Sequence, residues 1–213
     1  MLVIVFAILA GLIVLGLLIA LIWRLASRRE TIPCPAWLGW MVEMDNPFTE
    51  TNRAATIISH LDLEPGMSVL DFGCGPGRLT LPLAQGVGPQ GQVLAVDIQP
   101  AMLSRARAKA AGLENVRFLQ AAAGEDKLGQ ALFDRAVLVT VLGEIPGQQT
   151  ALQEIYTALK PGGWLSVTEI VFDPHFQTRA HVLRLATELG LREHEYFGNR
   201  LAYTLNLEKP AAA

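Results

Sequence analysis

The sequence predicts an α/β domain built on a doubly wound, mostly parallel seven-stranded sheet that ends in an antiparallel hairpin. Short apolar runs of strand length alternate with amphipathic stretches of helix length along residues 49–213. Such alternation places parallel strands side by side, with helices on both faces of the sheet. Toward the end of the chain, Gly198-Asn199 separates two runs of strand character, which is a hairpin signal. Between Gly73 and Gly77, a glycine-rich turn leads from the first predicted strand into a helix.

The elements of this domain follow one another regularly along the chain. Thr49 is a suitable cap for a first helix that runs to about Leu61. Predicted strands lie near residues 67–72, 92–97, 116–120, 133–140 and 163–170, and predicted helices lie near residues 77–86, 100–112 and 147–159. The hairpin strands run from Arg192 to Phe197 and from Leu201 to Glu208.

Residues 1–23 are predicted to be a transmembrane anchor. The run from Leu2 to Trp23 contains no charged or strongly polar residue. As a helix it would be about 33 Å long, enough to cross a bilayer. A secretory signal is disfavoured because no basic segment precedes the run. Arg24, Arg28 and Arg29 follow it, so the positive-inside rule predicts a single-pass membrane protein with its domain on the cytoplasmic side.

Residues 24–48 are predicted to be a juxtamembrane linker with an amphipathic segment. Large apolar residues recur there at helical spacing, so that they share one face: Trp37, Trp40, Met41, Met44 and Phe48. Two interpretations remain open. The face packs on the domain, or the segment lies on the bilayer and covers the substrate pocket.

Composition excludes some partners and sites. The formal charge of −3 argues against nucleic acid as the substrate, because a phosphate backbone calls for a basic surface. Two cysteines, Cys34 and Cys74, provide neither a metal site nor a disulfide framework. Small residues spaced four apart in the apolar run, such as Ala7 and Gly11, leave helix pairing and thus a homo-oligomer open.

The stretch VLDFGCGPG, from Val69 to Gly77, is built to hold a nucleotide-like cofactor. Glycines let the main chain approach a ligand closely, and the next helix points its free N–H groups at an anion. The spacing is G-x-G-x-G followed by Arg78, which differs from the dinucleotide pattern G-x-G-x-x-G. A second strand ends in Asp97, about 20 residues later, where a carboxylate can accept both hydroxyls of a ribose.

Together with AVDIQPAMLSRA and LKPGG, these motifs resemble those of class I, Rossmann-like S-adenosylmethionine-dependent methyltransferases. The resemblance covers roughly Asp62 to Pro210. It implies S-adenosylmethionine as the cofactor, with Asp71 near the methionine end and Asp97 at the ribose. The other residues predicted to bind the cofactor are Gly73, Gly75, Gly77, Ile98, Met102, Gly124, Glu125 and, from its place after a parallel strand, Thr140.

Ligands of open parallel sheets lie at the carboxyl ends of the strands, which directs attention to the segments after Val139 and Val167. Glu144 is the first candidate for orienting or deprotonating the methyl acceptor, and His175 is the second. The alternatives are that Glu144 caps the next helix and that His175 lies on a solvated loop.

The sequence thus predicts a membrane-anchored methyltransferase that acts on a lipophilic small molecule, such as a lipid amine, a quinone precursor or a thiol. Its domain would occupy residues 49–213, with no metal. A catalytically inactive, cofactor-binding scaffold of a membrane complex is the alternative.

Overall fold

The computed structural model describes residues 2–27, 34–45 and 49–211. Their centre is one seven-stranded sheet, whose strands are β1 (Ser68–Phe72), β2 (Gln92–Asp97), β3 (Val116–Gln120), β4 (Phe133–Val139), β5 (Leu159–Ile170), β6 (Arg192–Gly198) and β7 (Ala202–Glu208). The strand order is β3-β2-β1-β4-β5-β7-β6. β1 to β5 run parallel, and β7 pairs antiparallel with both β5 and β6. The predicted sheet and its final hairpin are confirmed.

The sheet is covered on both faces because successive side chains of a buried strand point to opposite sides. In β1, Val69 packs into one cluster with Leu83, whereas Leu70 packs into the other cluster with Leu152. All four of these side chains are buried. The helices of the described residues are α1 (Leu2–Ser27), α2 (Gly39–Glu43), α3 (Ala54–Ser59), α4 (Thr80–Val87), α5 (Pro100–Lys109), α6 (Gln148–Ala158) and α7 (Arg179–Glu188).

The order of the strands reverses at β1, which lies between β2 and β4. The connection after β1 leads to one side of it, and the connection after β3 returns to the other side. A crevice therefore opens at the carboxyl ends of β1 and β4, the place where ligands bind in open α/β sheets.

The predicted helix from Thr49 to Leu61 is wrong in its first half. A short 3-10 turn occupies Glu50–Asn52, Arg53 is extended, and α3 begins at Ala54. The side chain of Thr49 makes no capping hydrogen bond. The physical reason is tertiary: the Asp45 carboxylate accepts the backbone N–H of Ala54 at 3.0 Å, and this contact holds the chain out of the helix.

α1 is a 26-residue helix that spans the predicted anchor. The apolar side chains described for it are exposed, Phe6 and Ile22 at 65% each. Taken over the residues that the structure describes, however, no helix has the length and apolar character needed to cross a membrane. The predicted transmembrane span is therefore not confirmed. Arg28, Arg29 and Phe48, on which other predictions depend, lie outside the described residues.

Candidate functional site

A cavity of about 450 Å³ lies at the carboxyl ends of the parallel strands, where the strand order reverses. This volume falls within the range of small-molecule and cofactor sites. Its walls come from the ends of β1, β2 and β4, the segments that follow them and the linker before α3. The polar side chains of the lining are Cys34, Asp97, Gln99, Thr140, Glu144 and Asp173, and Lys, Arg and His are missing from the described residues around it.

The glycine turn forms one wall of the cavity. The backbone N–H groups of Gly73 and Cys74 both donate to the carbonyl oxygen of Val96, which fixes the turn against β2. Gly75 has a φ of +52°, a conformation that costs other residues about 1–2 kcal/mol. A Cβ at Gly75 would have ordinary space, with Val42 at 3.8 Å. Its bare backbone therefore faces the cavity.

Asp97 joins the glycine turn to the end of β2. One carboxylate oxygen accepts the N–H of Gly75 at 2.9 Å, and the other accepts the N–H of Gln99 at 2.8 Å. Burial raises the pKa of Asp97, while these two N–H donors lower it. A carboxylate has about four acceptor positions, so two remain for a pair of ligand hydroxyls. Asp97 lines the cavity, as its predicted ribose-binding role requires.

Two of the predicted cofactor residues, Asp71 and Gly77, are not part of the cavity lining. Asp71 is buried, and its carboxylate accepts the Thr80 hydroxyl at 2.6 Å. Burial raises the pKa of Asp71 to about 6. Gly77 lies against α5, where an added Cβ would come within 3.1 Å of the Cα of Ala106. Asp71 and Gly77 therefore contact the rest of the domain and do not face the cavity.

Only some of the remaining residues predicted to bind the cofactor line the cavity. Ile98 and Met102 line the cavity, together with the alanines at 121–123. Gly124 and Glu125 are not part of the lining. The N–H of Gly124 donates to the buried carboxylate of Glu154 at 2.7 Å, and this contact directs the loop away from the cavity. Glu125 is solvent-exposed and pairs with Lys127.

The segment after β4 forms the opposite wall. Thr140 has a φ of +55°, a rare conformation for a β-branched residue, and it lies in the lining. Glu144 ends a 3-10 turn, Leu142–Glu144, and also lines the cavity, whereas the next helix is capped by Gly147. The predicted alternative of Glu144 as a helix cap is therefore wrong.

Glu144 is the titratable group of this wall. Its carboxylate receives a hydrogen bond from the backbone N–H of Cys34. Burial, followed by the nearby negative charge of Asp173, raises the pKa of Glu144 to about 8. A carboxylic acid with this pKa is mostly protonated at neutral pH, with about a tenth of it ionised, and its ionised form is a stronger base than an ordinary carboxylate.

His175 lies beside the cavity wall and not in its lining. Its backbone N–H donates to Asp173 at 2.7 Å, and Gly143 packs directly against its backbone carbonyl. His175 as a whole is 7% exposed, so the predicted alternative of a solvated loop is wrong. Asp173, two residues earlier, is the member of this segment that reaches the cavity.

Cys34 and Val42 line the cavity although the motifs in the sequence gave no sign of them. Cys34 precedes α2, and its carbonyl oxygen accepts a hydrogen bond from the Gln99 side chain at 2.9 Å. Burial, and then the charge of Glu144, raises the pKa of the Cys34 thiol to about 11. The apolar periodicity of residues 37–48 was the only available signal that this segment covers something.

Comparison with known proteins agrees with this arrangement. A family model described as a methyltransferase domain matches residues 63–200, which include the glycine turn, Asp97 and Glu144. The chain belongs to this methyltransferase domain family. Family membership fits the predicted reaction class and the cavity at the strand ends.

Curated relatives match about half of this chain. A demethylmenaquinone methyltransferase of Lactococcus lactis subsp. lactis is 37% identical over 113 residues, which are 52% of this chain and 44% of that protein. The protein of the same name from Staphylococcus aureus (strain JH9) is 32% identical over 53% of this chain and 47% of its own length. The match thus spans less than half the length of these relatives.

Solved structures share the fold of the methyltransferase domain. A SAM dependent methyltransferase from Aquifex aeolicus superimposes with a TM-score of 0.74 at 20% identity, covering 83% of this chain and 99% of that chain. At this identity the similarity concerns the fold. Within the described part of this chain, no cluster of His, Cys, Asp and Glu could hold a metal ion.

Proposed function

We propose that this chain uses S-adenosylmethionine to methylate an uncharged, lipophilic small molecule. The observation that carries the proposal is the pairing of Asp97 with Gly75 at one end of a cavity whose other end presents Glu144. The end with Asp97 suits a ribose, and the bare backbone at Gly75 suits the part of the cofactor that lies along the glycine turn. The second end suits a group that gives up a proton.

The residues present fit this cofactor. Asp97 keeps two acceptor positions for vicinal hydroxyls, and Ile98 and Met102 offer apolar contact for a planar base. The open space at Gly75 leaves room for the ligand's approach. When bound, the cofactor supplies an electrophilic methyl group on a sulfonium.

The chain's own task is then to place the acceptor in line with that methyl group and to exclude water. A bond forms between the acceptor atom and the methyl carbon, the sulfur–carbon bond breaks, and the acceptor's proton is left to be removed. Glu144 faces the cavity with a pKa of about 8 and can take that proton. Cys34 N–H, by donating to the carboxylate, positions it.

The charges of the lining limit the acceptor. Asp97, Glu144 and Asp173 are acidic, and the described lining residues include no basic side chain. An acceptor with a phosphate or carboxylate at the reacting end would be repelled. Many of the remaining lining residues are apolar, including Val42, Val141 and others, which favours a lipophilic body. Among the predicted acceptors, a quinone precursor gains support from the names of the matched relatives.

We also propose that α1 attaches the domain to a membrane. The support is the sequence of residues 2–23, which lacks any charged side chain, together with the helical backbone of Leu2–Ser27. Several side chains of α1 lie outside the described residues, so the finding that no described helix crosses a membrane leaves this attachment to experiment. The single-pass topology with a cytoplasmic domain stays a prediction.

Incubation with S-adenosylmethionine labelled in the methyl group tests the function. Full-length protein is mixed with a membrane lipid extract, with a demethylated menaquinol, with phosphatidylethanolamine and with an alkyl thiol in separate reactions. Mass spectrometry should find label in the quinol or in a neutral lipid of the extract. Asp97→Ala serves as the inactive control. Cofactor binding with no label in any fraction would favour the inactive scaffold instead.

A further inference from the structure

α2 presents an uncovered apolar surface next to the cavity. Trp37, in the 3-10 turn before α2, is 71% exposed, and Trp40 is 55% exposed. Met41 and Met44 are also more than half exposed. We call these four residues the α2 aromatic face. The sequence interpretation in which this face packs on the domain is therefore wrong.

The opposite side of α2 is fixed on the domain. Gly39 is buried under the side chain of Arg105, where an added Cβ would overlap the guanidinium. Glu43 pairs with Lys109 at 2.9 Å. These contacts with α5 determine which way the helix faces, so the exposure of the aromatic face is a consequence of how α2 is attached.

The α2 aromatic face continues into the rim of the cavity. Val42, within the same helix, lines the cavity and is 37% exposed. Ile98 lines it from the end of β2 and is 52% exposed. Phe172, next to the lining residue Asp173, is 70% exposed. The cavity thus opens among apolar side chains that face outward.

The connection between α1 and the segment that carries the α2 aromatic face is short. Six residues separate Ser27, the last residue of α1, from Cys34 in the cavity lining. Even fully extended, this connection spans only about 24 Å, less than the thickness of a bilayer's hydrocarbon core. If α1 is in a membrane, α2 has to lie at or near the surface of the same membrane.

We propose that the α2 aromatic face lies in the headgroup region of the membrane that holds α1, so that the cavity receives its lipophilic acceptor directly from the bilayer. This inference rests on the proposed function and its membrane attachment. Tryptophan favours this region because its ring is apolar and its N–H finds polar partners there. Methionine side chains adapt to irregular apolar surroundings. Because only six residues connect α1 to Cys34, we favour the bilayer over other partners for the α2 aromatic face.

Tryptophan fluorescence in vesicles tests the proposal. Full-length protein carrying Trp23→Phe and Trp164→Phe retains Trp37 and Trp40 as its only tryptophans. It is reconstituted in phosphatidylcholine vesicles whose acyl chains are brominated near the headgroup. We expect quenching of on the order of half of the emission, as for an interfacial side chain, and little further quenching by iodide in the buffer.

The matched control keeps Trp164 and carries Trp23→Phe, Trp37→Phe and Trp40→Phe. Trp164 lies near the start of the parallel part of β5, at the ends of the strands away from the cavity, and the Arg135 guanidinium lies 4.0 Å from the centre of its ring. Its emission should not respond to brominated lipid. Equal quenching of both variants would show unspecific association and overturn the proposal.

Other outcomes also decide the question. Emission that iodide quenches and brominated lipid does not would place the face in water and overturn the proposal. Protection from both quenchers would mean that a protein surface, such as a second copy of the chain, covers it, and would also overturn it. Binding of S-adenosylmethionine, measured by dialysis on the same samples, separates the two claims. Lipid quenching without cofactor binding would refute only the proposed function.

Discussion

The carboxylate of Asp97 accepts the backbone N–H of Gly75 across 2.9 Å. This bond joins the two motifs from which the cofactor was predicted, the glycine turn after β1 and the acid that ends β2. Its second oxygen holds Gln99 at the entrance to α5. One buried side chain therefore shapes the turn and faces the cavity at the same time.

Asp97→Ala should weaken binding of S-adenosylmethionine by at least about tenfold. Hydrogen bonds to a charged group contribute about 1.5–3 kcal/mol each, and about 1.4 kcal/mol corresponds to a factor of ten. Isothermal titration of the full-length protein measures the effect. Glu125→Ala is the control, because Glu125 is exposed and outside the cavity lining. An equal loss in both variants would contradict this description of the site.

Substitutions at the two glycines should affect different properties, stability at Gly73 and cofactor binding at Gly75. A Cβ at Gly73 would overlap the side chain of Val141, and φ is +75° there, so Gly73→Ala should reduce the free energy of unfolding by more than about 1 kcal/mol. A Cβ at Gly75 meets only Val42, at 3.8 Å. Gly75→Val should therefore fold, with a loss of about 1–2 kcal/mol for its φ of +52°, and lose cofactor binding.

Chemical denaturation and cofactor titration distinguish the two variants. Val141→Ala makes room for the added methyl group and should restore part of the stability of Gly73→Ala. Wild-type affinity in Gly75→Val would show that the turn does not contact the cofactor. A Gly73→Ala protein as stable as the wild type would contradict the described packing of Val141.

The sequence predicted the sheet well because the information is local. The central parallel strands contain apolar runs bounded by turn residues, as at Val69 before Gly73, and the order of the motifs along the chain indicates the connections. The cavity wall near Asp97 follows from the same local signals. Its glycine and acidic residues stand at strand ends, where the fold brings ligands.

The rest of the cavity depends on contacts between distant residues, which a single sequence does not reveal. Gly124 turns away because its N–H meets Glu154, 30 positions later. The covering segment is held by Gln99 on Cys34, a separation of 65. Spacing could show that residues 37–44 have an apolar face, but the direction of that face depends on Arg105 in α5.

The stability of the protein should fall as the pH rises toward 8, and Glu144→Gln should reduce this loss. Burial raises the pKa of Glu144 from 4.5 to about 8, so the folded state favours the protonated form. The contribution of Glu144 to the free energy of unfolding is fully present below pH 4.5 and is lost as the pH rises to about 8. One pKa unit corresponds to about 1.4 kcal/mol, so the effect is on the order of a few kcal/mol.

Urea denaturation at pH 5 and pH 8 measures this loss in the wild type and in Glu144→Gln. Asp71 and Glu169, whose pKa values burial also raises, add to the same trend in both proteins. The comparison between the two proteins isolates Glu144. An identical decrease in both would mean that Glu144 ionises freely in the folded state. Glu125→Gln, which changes an exposed carboxylate, should leave the wild-type decrease intact.

The thiol of Cys34 should react slowly with iodoacetamide, and Glu144→Gln should accelerate the reaction. Burial and the charge of Glu144 raise the pKa of this thiol to about 11, and only the thiolate attacks. At pH 9 Glu144 is mostly ionised in the wild type, so removing its charge should lower the pKa of Cys34 and raise the rate severalfold. Cys74→Ala removes the second, buried thiol from both samples. Mass spectrometry follows the labelling, with Glu125→Gln as the control. A rate that Glu144→Gln leaves unchanged would show that Cys34 and Glu144 do not share the cavity.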